Sequence, residues 1–160
     1  MKNEKGFSLI ELLIVVAIIG IIAAIAIPNL LKSRQAANEA SAIGSTRTLG
    51  TAQATYQSTR GMGRNFALNL AVLSSDGGID QTLGAGTKSG YVFVCNGVAA
   101  AGTFPSYFDT TAVPQSSGTF GTGNRGFGSN ETYVIYQSST GLSVSAAFPS
   151  RVITTMSVLE

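Results

Sequence analysis

The apolar positions of this chain are concentrated near its N-terminus. Residues 7–27 read FSLIELLIVVAIIGIIAAIAI, where Glu11 is the one charged residue and Ser8 the one hydroxyl. A helix of this length is roughly 30 Å long, which matches the hydrocarbon thickness of a bilayer. The pattern therefore predicts a membrane-spanning helix, and Pro28 follows it directly.

The residues that flank this run predict its orientation. Residues 1–6 are polar and include two lysines, and lysine is retained on the cytoplasmic side of membranes, so we expect a cytoplasmic N-terminus. A secretory signal peptide is the main alternative, because Ala24-Ile25-Ala26 fits the small-x-small cleavage pattern. Signal-peptide cores, however, are about 7–15 residues long, whereas this run is longer and contains an acid near its start.

The helical pattern continues beyond Pro28. Residues 29–59 contain no proline and are rich in alanine, and the glycines at 61 and 63 predict that the helix ends near Thr59. If continuous, the helix is roughly 80 Å long, so its N-terminal half needs lipid or other copies of the chain around it. At helical spacing, small and apolar residues predict a shallow packing stripe made of Leu30, Ala37, Ala40, Gly44, Ile43, Arg47, Gly50 and Ala54.

The last hundred residues predict a small, glycine-rich β domain. Strands are expected at 90–95, 132–137, 142–146 and, less clearly, 151–158, whereas residues 110–129 are typical of an exposed loop. The fold class is therefore α+β, with a long N-terminal helix packed on a small antiparallel sheet in the shape of a ladle. The predicted segments are a leader (1–6), a transmembrane half-helix (7–27), an amphipathic half-helix (28–59) and the β domain (60–160).

Composition excludes several kinds of chemistry. The chain has 160 residues with a net charge of +2, and only 11% are charged, against ~25% in typical soluble domains. It has no histidine, which removes the commonest general base and metal ligand. Cys95 is the only cysteine, so neither an internal disulfide nor a cysteine-rich zinc site can form. We therefore expect no catalytic residues, no cofactor and no enzymatic activity.

The N-terminal residues carry a family resemblance. Residues 5–12, KGFSLIEL, resemble the processing motif of type IV pilins and of type II secretion pseudopilins, and the similarity continues through residues 15–20 and 24–28. Residues 29–59 are similar to the amphipathic half of the pilin helix. Residues 84–94, GAGTKSGYVFV, more loosely resemble the stretch in which the first pilin strand begins.

The resemblance assigns roles to three residues. It implies that a membrane prepilin peptidase cuts between Gly6 and Phe7 and that Phe7 is then N-methylated. Glycine suits such a site, since it lets a peptidase approach the backbone closely. The freed amine lies four residues before Glu11, and opposite charges attract strongly in a low dielectric. We expect Glu11 of an incoming chain to pair with a neighbour's Phe7 amine and set its register. Alternatively, Glu11 is a tolerated acid that reaches the headgroups.

The resemblance also concerns the middle of the helix and the assembly. Gly20 and Pro28 bracket its weakest stretch, because glycine lowers helix propensity and proline removes a hydrogen bond. In filaments of this family that stretch melts locally, and the same is implied here. The implied partners are the bilayer, the prepilin peptidase, an inner-membrane assembly platform, other copies of the chain and minor pilins.

Two weaker candidates have simpler interpretations. Asp76 and Asp80 surround a turn that could bind calcium, but calcium prefers six to eight oxygens, so an ordinary turn is favoured. A basic stripe could bind DNA, although a solvated face or subunit contact is the preferred interpretation. Its residues would be Lys32, Arg34, Arg47, Arg60 and Arg64.

Three functions are compatible with the sequence. The favoured one is a structural type IV pilus subunit, held in the inner membrane and then assembled into an extracellular filament for adhesion, motility or DNA uptake. The second is a pseudopilin that builds a periplasmic piston for type II secretion. The third is a membrane-anchored binding domain or enzyme, which the lack of histidine and of converging acids weakens.

Overall fold

One long helix, α1, spans Leu9–Thr59 in the computed structural model, which describes residues 7–139 and 157–159. The helix is about 76 Å long and continues through Pro28 without interruption. The helix ends at Thr59, as the glycines at 61 and 63 predict. The Gly61 N–H donates to the Tyr56 carbonyl at 2.8 Å, and Gly63 adopts a φ of 72°. The chain then turns back towards the helix.

Within the part of the chain that the structure describes, a six-stranded antiparallel sheet follows α1 and two short helices, so the α+β prediction is confirmed. Each strand pairs with its neighbours in sequence, in the order β1-β2-β3-β4-β5-β6. After α1 the elements are α2 (Leu70–Ser75), α3 (Gln81–Gly84), β1 (Thr87–Lys88), β2 (Tyr91–Val98), β3 (Tyr107–Pro114), β4 (Gly126–Asn130), β5 (Ile135–Ser138) and β6 (Ser157–Val158).

The core lies between the C-terminal half of α1 and one face of the sheet. In β2, Tyr91, Phe93 and Cys95 are buried on that face, as the period of two along a strand requires. Strand pairing sets Phe93 beside Ala112 of β3, and Ala112 beside Phe127 of β4. The residues that complete this apolar cluster come from the helices and their connections: Ala42, Leu49, Ala52, Ala67, Leu70, Leu73, Ile79 and Leu83.

Two predictions about the β domain are wrong in part. Residues 110–129 were expected to form an exposed loop, but only 115–125 do, because residues 110–114 lie in β3 and residues 126–129 in β4, both buried. Their polar and glycine-rich sequences hide the strand pattern. The strand expected at 132–137 begins only at Ile135, because Tyr133 has a φ of 58°, outside the β region. The strand predicted at 142–146 lies outside the described residues, as does most of that at 151–158.

The sheet domain covers only part of the predicted packing stripe of α1. Five of its eight residues are exposed, namely Leu30, Ala37, Ala40, Gly44 and Arg47. The face that the sheet domain covers is instead largely polar, and its buried residues are Gln35, Glu39, Ala42, Ser45, Thr46, Leu49, Gly50, Ala52 and Gln53. Periodicity of apolar residues therefore did not identify most of the face that the domain covers, since polar side chains on α1 bind backbone groups of the domain. Contact of the exposed stripe residues with a neighbouring helix stays a prediction.

Gln53 shows how a polar residue is accommodated in this core. Its side chain is fully buried, and its amide donates to the Ala67 carbonyl at 2.9 Å and accepts from the Ala67 N–H at 2.8 Å. It also donates to the Cys95 Sγ at 3.0 Å. One side chain thus satisfies both backbone groups of a buried residue in the connection that follows α1.

We predict that Gln53→Leu destabilises the sheet domain by about 2–5 kcal/mol, because both Ala67 backbone groups lose their partner in a buried place. Denaturant unfolding of the detergent-solubilised chain measures the change. Gln57→Leu, the same substitution one turn later at a half-buried position, is the control and should change stability much less. Equal effects of the two substitutions would contradict this role of Gln53.

Candidate functional site

The N-terminal half of α1 is uncovered along its whole length. The most apolar 18-residue stretch of the helix has a mean hydropathy of 3.1, and none of its residues is buried. Burying one large apolar side chain is worth about 1.5–3 kcal/mol, so this surface strongly favours lipid or protein over water. The exposed large apolar side chains are Phe7, Leu9, Ile10, Leu12, Leu13, Ile14, Val15, Val16, Ile18, Ile19, Ile21, Ile22, Ile25, Ile27 and Leu30.

Two of the predicted processing and register residues, Phe7 and Glu11, lie at the N-terminal end of this helix. Gly6 is outside the described residues, and Phe7 is 86% exposed immediately before the N-cap residue, Ser8. Glu11 is exposed in the first turn of α1, where the unpaired backbone N–H groups of a helix N-terminus favour a negative charge. Both Phe7 and Glu11 are therefore accessible to another molecule.

Gly20 and Pro28 are both part of the continuous helix. A methyl group added at Gly20 would meet no atom within 4 Å, so packing within the chain does not require glycine there. Glycine in a helix costs about 1 kcal/mol relative to alanine. Pro28 lacks the N–H that would bond the carbonyl of Ala24. The two residues thus weaken the backbone of the uncovered half, and local melting of this stretch stays a prediction.

A carboxylate that the sequence did not single out joins α1 to the sheet domain. Glu39 is 9% exposed, and its Oε2 accepts from the Arg125 Nε at 2.8 Å and lies 2.8 Å from Arg125 Nη2. Its Oε1 accepts from the backbone N–H of Asn124 at 3.0 Å. Arg125 in turn donates to the Gln137 amide oxygen of β5 at 3.0 Å and lies over the Phe127 ring.

The same loop makes two further contacts with α1. Residues 115–125 connect β3 to β4, and Gln35 donates to the carbonyls of Gly118 and Gly121 at 2.7 and 3.1 Å. Asn38 donates to the Thr122 carbonyl at 2.9 Å. Glycine is required at position 123, where a Cβ would lie 2.1 Å from the hydroxyl of the buried Tyr91. We call residues 115–125 the docking loop.

Electrostatics at Glu39 favour its charged form. Burial tends to raise the pKa of Glu39. Hydrogen bonds from Asn124 and Arg125 and the charge of Arg125 have the opposite effect, and together they hold the pKa of Glu39 below its ordinary value of 4.5. No local signal in the sequence identifies Glu39, since its partner lies 86 residues away.

The remaining candidates have structural roles. Asp76 forms an ion pair with Arg60 at 2.9 Å, and Asp80 caps α3 and pairs with Lys88 at 2.9 Å. The Lys88 hydrogen bond lowers the pKa of Asp80. These pairings explain both aspartates without calcium. Within residues 7–139 and 157–159, no three histidine, cysteine or acidic side chains form a possible metal site.

Neither Cys95 nor the basic residues form a distinct site. Burial raises the pKa of the Cys95 thiol to about 11, which leaves a protonated and unreactive core residue. Of the five residues in the proposed basic stripe, Arg60 pairs with Asp76, and Lys32, Arg34 and Arg47 are exposed on α1. The geometry adds nothing to the DNA-binding interpretation.

We predict that Glu39→Gln lowers stability by about 1–3 kcal/mol at neutral pH, because charged hydrogen bonds are lost. The pKa of Glu39 is lower in the folded than in the unfolded chain. Its contribution is therefore complete above pH 4.5 and disappears as the pH falls through the folded pKa. Unfolding of wild type and variant from pH 7 to 3 measures it, and the difference should shrink with acid. A constant difference would contradict the assignment.

Comparison with known proteins finds similarity in the N-terminal part of the chain. Residues 1–27 match the family model of the prokaryotic N-terminal methylation motif. The chain is 67% identical over 39 residues to the type IV wide pilus major component PilA4 of Thermus thermophilus, which is 24% of this chain and 30% of that protein. It is 48% identical over 65 residues to the type IV major pilin protein PilA of Myxococcus xanthus, covering 41% and 30% respectively.

The similarity is confined to part of each chain. The type IV major fimbrial protein FimA of Dichelobacter nodosus is 56% identical over 52 residues, which is 30% of this chain and 33% of the relative. The chain thus spans about a third of the length of these relatives. No solved structure matches it. In its N-terminal motif and the first part of its long helix, the chain is therefore similar to proteins named as type IV pilus components.

Proposed function

We propose that this chain is a structural subunit of a type IV pilus, polymerised through its N-terminal helix into a surface filament for adhesion, motility or DNA uptake. The observation that carries the proposal is the uncovered apolar half of α1, joined without a break to a folded sheet domain. A helix about 76 Å long cannot be covered by so small a domain. The relatives named as major pilus or fimbrial proteins support the same function.

The proposed pathway begins in the inner membrane. The precursor crosses the bilayer once with its N-terminus in the cytoplasm, and a prepilin peptidase removes residues 1–6 by cutting between Gly6 and Phe7. The new Phe7 amine is then methylated. An assembly platform lifts the mature subunit out of the bilayer into a filament of identical copies and minor pilins, which becomes extracellular.

Within this pathway Glu11 directs assembly. Its carboxylate lies in the first turn of α1, one turn from the amine that cleavage exposes at Phe7. In an apolar surrounding, an unpaired charge is costly and an opposite charge nearby is strongly attractive. An incoming Glu11 therefore seeks the amine of a neighbouring Phe7, and the stretch between Gly20 and Pro28 melts as the helices pack together.

A type II secretion pseudopilin is the alternative, because it would use the same helix chemistry. Asp76 and Asp80 lend it no support, as each pairs with a cation instead of converging on a calcium site. Neighbouring genes separate the two functions, since a retraction ATPase indicates a pilus and a complete secretion operon indicates the piston. The third possibility, an anchored enzyme, lacks support from the relatives, which are named as pilus components.

The processing prediction concerns Gly6 and Phe7. We expect the mature protein to start at a methylated Phe7, and Gly6→Glu to leave uncut precursor in the membrane, because a side chain blocks close approach to the backbone. Intact-mass measurement of the purified protein distinguishes the forms. A mature N-terminus at Ile27 would instead indicate an ordinary signal peptide.

The assembly prediction concerns Glu11. Glu11→Leu should insert and be cleaved normally, since Gly6 and Phe7 are unchanged, but filament yield should fall sharply as the carboxylate that pairs with the neighbouring amine is lost. Glu11→Asp should be intermediate, because it keeps the charge on a shorter side chain. The measurement compares precursor, mature subunit and sheared filament for each variant.

Glu4→Leu is the matched control for this experiment. It replaces another carboxylate near the N-terminus, but one that cleavage removes, so filament yield should be that of the wild type. Normal filament yield from Glu11→Leu would contradict the register role and leave Glu11 as a tolerated interfacial acid.

A further inference from the structure

The docking loop runs along α1 from Glu39 towards the apolar N-terminal half of the helix. Glu39 contacts residues 124 and 125 of the loop, Asn38 contacts residue 122, and Gln35 contacts residues 118 and 121. The turn of the loop at 118–121 therefore lies nearer the N-terminus of α1 than the base of the loop does. Gln35 is also the first buried residue of the helix, so this turn lies at the edge of the sheet domain that faces the uncovered segment.

An aromatic side chain is exposed in this turn. The Gly121 N–H bonds the Gly118 carbonyl at 3.0 Å and closes a turn around Thr119 and Phe120. Gln35 binds the carbonyls at both ends of the same turn, which holds it on the helix. Phe120 is nevertheless 82% exposed. No packing within the described part of the chain accounts for a large apolar side chain at this position.

The level of the turn along α1 lies close to the surface of a bilayer. Gln35 lies eight residues beyond Ile27, about 12 Å along the helix axis, and Leu30 and Leu31 extend the apolar surface further. The polar headgroup layers add roughly 5–8 Å on each side of the hydrocarbon core. If the hydrocarbon core ends at Ile27, the Phe120 turn lies about 4–7 Å outside the headgroup layer; if the core ends at Leu31, Gln35 is about 6 Å from it and the turn lies within the headgroup layer.

The charges around the turn favour an anionic surface. Lys32 and Arg34 are exposed on α1 just below it, and the sequence of the docking loop, QSSGTFGTGNR, contains no acid. The nearest carboxylate of the helix, Glu39, is already paired with Arg125. Cations close to a membrane surface are attracted by anionic lipids, and aromatic side chains are enriched at the interface.

We propose that the docking loop is a membrane contact of the unassembled subunit, in which Phe120 enters the headgroup region of the bilayer beside Lys32 and Arg34. The contact is continuous with the membrane-spanning helix and rests on the proposed membrane stage of the pilin pathway. A single helix can rotate and slide in lipid, whereas a second point of attachment on the folded domain fixes the height and rotation of the subunit. The sheet domain then meets the assembly machinery in one orientation.

The chain contains no tryptophan, which allows single-tryptophan reporters. We compare Phe120→Trp with Phe104→Trp in the full chain, reconstituted in vesicles of phosphatidylcholine with phosphatidylglycerol. Phe104 is a matched control, because it is 76% exposed in the connection between β2 and β3, beside Gln57 and Gly63 near the far end of α1. Tryptophan emission, quenching by aqueous iodide and quenching by lipids with a nitroxide near the headgroup are measured.

The proposal predicts blue-shifted emission for Trp at 120, quenching by the nitroxide lipid and several-fold weaker quenching by iodide, with none of these changes for Trp at 104. Lys32→Gln with Arg34→Gln should increase iodide quenching at 120, and so should vesicles of phosphatidylcholine alone. Equal iodide quenching at the two positions would overturn the proposal. Protection at 120 that occurs only in sheared filaments would overturn it as well, and would assign the turn to a contact between copies.

Vesicle flotation separates this result from the proposed function. If the chain floats with vesicles while Trp at 120 stays fully accessible to iodide, the membrane helix is supported and the loop contact is refuted. If the chain does not float with vesicles, the membrane stage of the pilin pathway fails, and the loop contact fails with it.

Discussion

The structure depends on one constraint, which is that the apolar half of α1 finds no cover within the described part of its own chain. The sheet domain begins to bury the helix only at Gln35, so the large apolar side chains before that residue are left to the surroundings. Water is an unfavourable surrounding for such a surface, whereas a bilayer and a bundle of identical helices both suit it. The membrane stage and the filament stage of the proposed function therefore both follow from the same uncovered segment.

The boundary between covered and uncovered helix is set by polar contacts. Gln35, Glu39 and Gln53 are buried on α1, and they bind mainly backbone groups of the connections around the sheet. A glycine-rich domain offers many backbone donors and acceptors but few large apolar side chains, so hydrogen bonds have a large part in its attachment. Such bonds require defined geometry, and they fix the position of the domain along the helix more closely than apolar contact would.

The sequence predicted those parts of the fold whose signal is local. The apolar run, the helix to Thr59 and the motif around Gly6 and Phe7 can each be recognised within a few turns of chain. Strands β3 and β4 were missed because Thr110, Thr111 and the stretch GFGSN are polar or small although they are buried. The pairing of Glu39 with Arg125 was also missed. It joins residues 86 apart, and nothing in the residues around Glu39 indicates its partner.

In the proposed function, transfer of a subunit from lipid to filament would change apolar burial little, because lipid tails are as apolar as neighbouring leucine and isoleucine side chains. The hydrophobic effect therefore retains α1 in either environment but does not by itself favour one over the other. What differs between the two is the surroundings of the polar groups near each end of the uncovered segment. At the N-terminal end, Glu11 lies within reach of lipid headgroups or of a neighbouring amine. At the other end, the docking loop with Phe120 meets either headgroups or another subunit. If the chain assembles as proposed, a few polar and interfacial contacts would decide the direction of assembly, while the many apolar side chains between them would keep the subunit out of water throughout.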